Sequence, residues 1–372
     1  MSRTHVYIVG AGFSKYAGLP LQADFTEALL EARSDEQYPM RPLINHLGQF
    51  VHDAFDHEVS AKARFWPNLE DVFTNIDMAA NTGHHLGSEH SPSVLRTTRR
   101  VLLARMMCML HERFTKAAEV ENEDWVSLNS FFNGLDLLHS AFISINWDTV
   151  IERRVAELRK VVDFDYKCLA VAADFKGKEN VVMKRKPLDE AKTLPLVKIH
   201  GSVNWLYCDN CRRLYWFPAE KAIEVALQLV THKEGKRLKL ARLEDCERWA
   251  CPVCSEVPLT TRIATFSFLK ALDFPMFERS WLSAEQLLRN AKKWIFIGYS
   301  LPAADYEFKH LLKRVQLSRA SSPEFVVITG GTAENAKYTR NNYQRFFGRA
   351  IKKDENVFEN GLSAEAIKAA HS

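Results

Sequence analysis

No stretch of this 372-residue sequence stays apolar for the roughly 20 residues that a membrane span needs. A signal-peptide pattern is also missing. Met1-Ser2-Arg3-Thr4 leads straight into an apolar strand, so the expected location is cytoplasmic. Charge of one sign is scarce: a formal +4 over this length gives no argument for nucleic acid. Internal repeats and low-complexity segments are absent, which sets aside repeat architectures. Cysteine is sparse, with seven residues, and without an export signal these favour metal or packing roles over disulfides.

What is present is ordinary in bulk and specific in detail. The chain is 47% apolar and 26% charged, as expected of a soluble globular protein. Its length predicts two lobes or one domain with a large insertion. Strands are expected at His5–Val9, Ala141–Ile145, Leu196–Ile199, Trp294–Gly298 and Phe325–Gly331. A helix is expected at Ala23–Ala32. Short buried strands separated by helices predict a parallel sheet. From about Pro42 to His139 strand candidates vanish. Apolar residues recur at helical spacing in Leu43–Val59, Leu69–Ala80, Val94–Val120 and Val126–Leu138, with a loop over Gly83–Pro92. A charged, helix-prone run covers Ala219–Leu243. The tail beyond Lys352 is polar and helix-prone, without an evident task.

Several segments carry chemistry. Gly10-x-Gly12 follows a strand, where glycine lets a phosphate approach the backbone and the next helix offers N–H groups. The third glycine of the dinucleotide fingerprint is out of place, so a plain tight turn fits equally well. Cys208-x-x-Cys211 and Cys251-x-x-Cys254 can close a tetrahedral zinc site, and four thiolates make that site structural. Their separation exceeds the common ~15–20 residues, which the helix-prone run accounts for. Cys108, Cys168 and Cys246 read as packing residues. His200 ends an apolar strand just before Gly201. Ligands of parallel sheets bind beyond the carboxyl ends of strands, so His200, Asn146 and Gly10 are expected at one edge. Taken singly, His200 reads better as a satisfied structural residue. Asn146 and Asp148 could simply cap a helix. Gly298-Tyr299-Ser300 could be a turn or a phosphate-facing loop.

In their order along the chain these segments resemble the sirtuin-like superfamily. Gly10-Ala11-Gly12-Phe13-Ser14 with Gly18-Leu19-Pro20 is similar to the Gly-Ala-Gly-x-Ser…Gly-Ile-Pro loop over the NAD pyrophosphate. Ser144-Ile145-Asn146-Trp147-Asp148 is similar to Thr-Gln-Asn-Ile-Asp, His200-Gly201 to the catalytic His-Gly, and Gly298-Tyr299-Ser300 to the cofactor-facing Gly-Thr-Ser. The resemblance runs from Gly10 to about Gly331. Departures accompany it. Leu21-Gln22-Ala23 intervenes before Asp24-Phe25, which lacks the following Arg of the deacetylases. Ile145 replaces the Gln. Ala264-Thr265-Phe266-Ser267-Phe268 stands where a peptide-pairing Phe-Gly-Glu strand is expected. The large helical insert, with Asn68-Leu69-Glu70-Asp71-Val72-Phe73, resembles the bacterial sirtuin-like proteins of phage defence.

The resemblance implies an α/β fold with a Rossmann-like parallel sheet, a large helical insertion and a small zinc-binding module. One sirtuin-like domain would span residues 1–372. Residues 1–40 and 140–350 would form the NAD-binding core, 41–139 the insertion, 205–260 a zinc ribbon and 351–372 a tail. It implies NAD hydrolysis to nicotinamide and ADP-ribose as an anti-phage effector. Asn146, His200 and Asp148 would be catalytic. Gly10, Ala11, Gly12, Phe13, Ser14, Gly298, Ser300 and Gly330 would hold the cofactor, and Cys208, Cys211, Cys251 and Cys254 a structural zinc. Asn146 would orient water or ribose, His200 would act as general base, and Asp148 would hold the nicotinamide amide. A homo-oligomer and a HerA-type ATPase partner are implied by the same analogy. A deacylase, an ADP-ribosyltransferase and a non-catalytic NAD or ADP-ribose sensor remain open.

Overall fold

The computed structural model describes residues 3–31, 40–57, 66–161, 163–176, 180–183, 193–239, 249–255, 259–261, 263 and 275–372. Ala264–Phe268, Cys246, the end of the run at Leu243, and the expected helix ends Ala32 and Val59 lie outside the described residues.

The strands are β1 (His5–Val9), β2 (Ser140–Ser144), β3 (Asp163–Asp165), β4 (Val171–Lys176), β5 (Asn180–Met183), β6 (Thr193–Lys198), β7 (Trp205–Tyr207), β8 (Leu214–Trp216), β9 (Lys293–Ile297), β10 (Glu324–Ile328) and β11 (Val357–Phe358). Early helices are α1 (Ala11–Lys15), α2 (Phe25–Leu30), α3 (Arg41–Phe55), α4 (Leu69–Thr82), α5 (Pro92–Val120) and α6 (Glu123–Asn133). Next come α7 (Val150–Arg159), α8 (Ala222–Leu227), α9 (His232–Arg237) and α10 (Pro275–Asn290). The last are α11 (Tyr306–Ser318), α12 (Ala333–Phe347), α13 (Lys353–Asn356) and α14 (Ala364–His371).

Seven strands form one parallel sheet in the order β11-β10-β9-β1-β2-β6-β3. The protein is α/β with a Rossmann-like parallel sheet. Alternation along β1 sorts its side chains between two cores. Val6 and Ile8 join Ile143, Trp294, Phe296 and the α10–α12 helices on one face. Tyr7 and Val9 face the other core, with Phe142, Ile295 and the early helices. Burial on both faces explains why these strands read as unbroken apolar runs.

Helices α3 to α6 lie between residues 41 and 133, and among the described residues of that stretch only an isolated bridge, Leu86 to His90, has strand pairing. Residues 101–110 of α5 are all buried, which makes it the central helix of the group. Ser91 caps α5 through the Val94 amide, with Pro92 in the first turn where its missing N–H costs nothing. Asn122 caps α6 through the Trp125 amide. Gly83 closes α4 in the left-handed region, at φ 80°.

A second sheet has the order β5-β4-β8-β7, and Cys208 and Cys211 lie in the turn between its antiparallel strands β7 and β8. Two of its strands, β4 and β5, come from before residue 205, where no apolar alternation strong enough to reveal them is present. The helix-prone run contains α8 and α9, the latter opened by a capping box of Thr231 and Glu234. The tail is not idle: β11 is the seventh strand of the main sheet, and α14 packs on α6 and β10. Helix begins earlier than expected after β1, at Ala11.

Candidate functional site

β1 pairs with β2 on one side and β9 on the other, and the chain extends the sheet in opposite directions from there. Such a switch point leaves a crevice at the carboxyl edge. Gly10, Gly298, Ile145–Asp148 and His200 all follow strands at that edge.

The β1 turn and the β9 turn lie against each other. The Gly10 and Gly12 amides donate to the carbonyls of Ile297 (3.1 Å) and Gly298 (2.9 Å), and the Phe13 amide to Gly10 (2.9 Å). A Cβ on Gly298 would lie 2.1 Å from the Phe13 nitrogen, and its φ is +61°. Glycine is therefore required there by space and by conformation. These contacts engage three amides expected to face a phosphate; Ala11 remains exposed at the turn. Phe13 sends its ring into the core, edge-on to Phe131 and Phe132. Only its backbone belongs to the turn. The Ser300 carbonyl accepts from Asn342 Nδ2 at 3.0 Å. Gly330 lies farther along the edge, where a Cβ would come within 3.2 Å of Gly361 and 3.6 Å of the Tyr16 hydroxyl.

Asn146, Ser14 and Asp148 form a directed chain. Asn146 Nδ2 donates to the Gly10 carbonyl (2.8 Å) and to Ser14 Oγ (2.8 Å), and Ser14 Oγ donates to Asp148 Oδ2 (2.6 Å). A carbonyl can only accept, so the amide nitrogen must face Gly10 and Oδ1 becomes the acceptor end. The other Asp148 oxygen accepts the Val150 amide at 3.0 Å. Asp148 thus serves the start of α7 and the Ser14 chain together. His200 is 7% exposed, and its Nδ1 lies 3.1 Å from the Ile145 carbonyl. That contact places the proton on Nδ1, so Nε2 is the basic nitrogen of the neutral ring.

Beneath lies a buried polar group that sequence reasoning missed. Lys198 Nζ donates to the Asp148 carbonyl and pairs with Glu152 Oε1 at 3.2 Å. Tyr166 donates to the same Glu152 oxygen (3.0 Å), and Asn204 Nδ2 reaches Tyr166 (3.4 Å) and the Phe217 carbonyl (2.8 Å). Burial raises both the Glu152 carboxyl and the Tyr166 phenol above their ordinary values. The one signal in the sequence was a lysine inside the apolar run Leu196-Val197-Lys198-Ile199.

Beside Asp148 a narrow cleft is lined by Leu19, Met107, His111, Arg153 and Val203, with a cavity volume of about 10 Å³, room for one water. His111 reaches it from α5; burial and then the Arg153 charge lower its pKa.

Cys208, Cys211, Cys251 and Cys254 bring their sulfurs within 4.8 Å of one another. Cys208–Cys254 and Cys211–Cys251 are 3.5 and 3.6 Å apart, too long for disulfides. A tetrahedron with Zn–S bonds of about 2.3 Å has edges of about 3.8 Å, so the donor set fits zinc. Burial alone pushes the Cys251 thiol up, but hydrogen bonds, led by the Tyr215 hydroxyl at 3.1 Å, outweigh it and hold the thiol at about 6. Bound zinc would tie the two knuckles together and supply no chemistry at the sheet edge.

No protein-family model matches the chain, and no curated protein matches it. Among solved structures, it is similar to a Sir2 homolog–NAD complex, with a TM-score of 0.41 and 12% identity over 100% of this chain and 88% of that one. A structure described as a basis for the mechanism and regulation of Sir2 enzymes gives 0.39 and 11%, over 100% and 91%. A third, concerning sirtuin substrate affinity, gives 0.34 and 15%, over 99% and 92%. The functional reading rests on the site's own side chains.

Proposed function

We propose that the protein is a sirtuin-like NAD+ hydrolase that cleaves the nicotinamide–ribose bond. The observation that carries this reading is the chain from Gly10 through Asn146 and Ser14 to Asp148, with His200 hydrogen-bonded to the same peptide segment. It unites residues drawn from separate motifs in one constellation.

In the reaction the N-glycosidic bond breaks through an oxocarbenium-like state, and its electron pair neutralises the departing pyridinium. Nicotinamide leaves without needing a proton. Water forms the new bond to the anomeric carbon and must lose a proton. Asn146 Oδ1 orients that water or a ribose hydroxyl, and His200 Nε2 accepts the proton. Asp148, fixed by Ser14 and the Val150 amide, lines the nicotinamide side. Gly10, Ala11, Gly12, Phe13, Ser14, Gly298, Ser300 and Gly330 form the cofactor edge. The cleft has room for only about one water, so binding the pyridine ring requires it to widen.

Missing deacetylase residues, namely the Arg after Asp24-Phe25 and the Gln replaced by Ile145, favour hydrolysis over peptide deacylation. A role as a phage-defence effector, a homo-oligomer and a HerA-type partner rest on the motif resemblance alone. Incubation with NAD should give equimolar nicotinamide and ADP-ribose without any acyl-peptide. Product formation only when an acetyl-lysine peptide is added would identify a deacylase instead. Tight binding without turnover would identify a sensor.

A further inference from the structure

The segment 144–148 carries Asn146 and Asp148, and the segment 198–203 carries His200. Their mutual bonds follow a pattern. The Ser144 carbonyl accepts the Ile199 amide (3.3 Å), and Ile145 accepts His200 Nδ1 (3.1 Å). Trp147 accepts the Val203 amide (2.9 Å) and Ser202 Oγ (3.2 Å). Asp148, the last, accepts Lys198 Nζ. Asn146 alone accepts from within its own segment, from Ser144 Oγ at 3.1 Å. The two loops are therefore zipped carbonyl by carbonyl, and the end of the zipper depends on a charged side chain.

That charge is deep. Lys198 and Glu152 side chains are 1% and 3% exposed. An ion pair so buried is a poor source of stability compared with apolar packing, and its retention needs another explanation. Glu152 stands in the first turn of α7, the same turn that Asp148 engages, so Lys198 holds this stretch twice: at the Asp148 carbonyl and, through Glu152, at the start of the helix.

We propose that Lys198 is a positioning residue for the reaction, with Glu152 as its counter-charge. It fixes Asp148 and Asn146 relative to His200, two residues beyond it in the chain. Lys198 touches no substrate. This rests on the NAD-hydrolase reading, and the test below separates the two.

Parent, Lys198→Met, Glu152→Gln and the double variant are compared in full-length protein. The readouts are nicotinamide release from NAD, thermal midpoint and amide hydrogen exchange. Each single change leaves a buried group without its partner and lowers the midpoint. The double variant removes both charges and recovers most of it. Its kcat nevertheless stays down roughly 10–100-fold, because the Asp148 carbonyl still lacks its donor. KM stays within about threefold. Exchange accelerates at the Ile199 and Val203 amides but not at Tyr7 and Ile8 of β1. A double variant with parental kcat and parental exchange at Ile199 and Val203 overturns the proposal. If the parent releases no nicotinamide, the hydrolase reading fails, and the exchange pattern alone decides whether Lys198 holds the two segments together.

Discussion

At the scale of single residues, the β1–β9 contact is the least forgiving place. Gly298→Ala puts a methyl group 2.1 Å from the Phe13 nitrogen at a φ of +61°. The expected cost is more than ~1 kcal/mol, read as a lower denaturant midpoint at an unchanged slope. A neutral result would mean the two turns are not packed as described. The motif positions of this site were legible in the sequence because each chemistry-bearing residue follows a short apolar strand. Their wiring was not. That Ser14 stands between Asn146 and Asp148 depends on β1 and β2 being neighbours, which no local pattern encodes. Lys198 was hidden for the opposite reason. A charged residue in an apolar strand is explained only by Glu152, which lies 46 positions earlier in sequence and meets it at 3.2 Å.

Among the elements, the cysteine pairs and helix α3 make separate predictions. The Tyr215 hydroxyl lies 3.1 Å from Cys251 Sγ and would donate to its thiolate, and partners of this kind orient and tune metal ligands. Tyr215→Phe should let a chelator strip zinc roughly 10-fold faster, while Cys251→Ser should abolish stoichiometric zinc. Zinc absent from the parent by elemental analysis would contradict the assignment. On α3, burial lowers His46 from 6.5 to about 4, helped by the charges of Arg237 and His90. The folded state therefore resists a proton that the unfolded chain takes up. The neutral form's contribution is complete above about pH 6.5 and is lost as pH falls toward 4, amounting to about 3 kcal/mol. His46→Gln should flatten stability across that interval; an unchanged slope in urea titrations would remove His46 from the account. The helices of residues 41–133 were readable from spacing because each buries one stripe or, in α5, its whole circumference for a stretch. The two-residue β11 and the three-residue β3 and β8 were not, since such short strands carry no usable period.

For the whole molecule, the insertion and the zinc-side segment meet around the cleft. Arg100 and Thr97 of α5 hold Glu234 at the start of α9, and α5 packs along α8. Met107 and His111 of α5, Arg153 of α7 and Ala222 of α8 line the same cleft beside Asp148. The helices of residues 41–133 therefore form a wall of the cleft and share one core with a face of the main sheet. No helix among the described residues is long and apolar enough to cross a membrane. The central claim is that the Asn146 chain and His200 form one hydrolytic site. Its most direct test is nicotinamide release from NAD by the parent beside Asn146→Ala and His200→Ala, with calorimetric NAD binding on all three. The account predicts that both substitutions lower release by about 100-fold or more while binding persists. Release by His200→Ala at the parental rate, with NAD still bound, would contradict it.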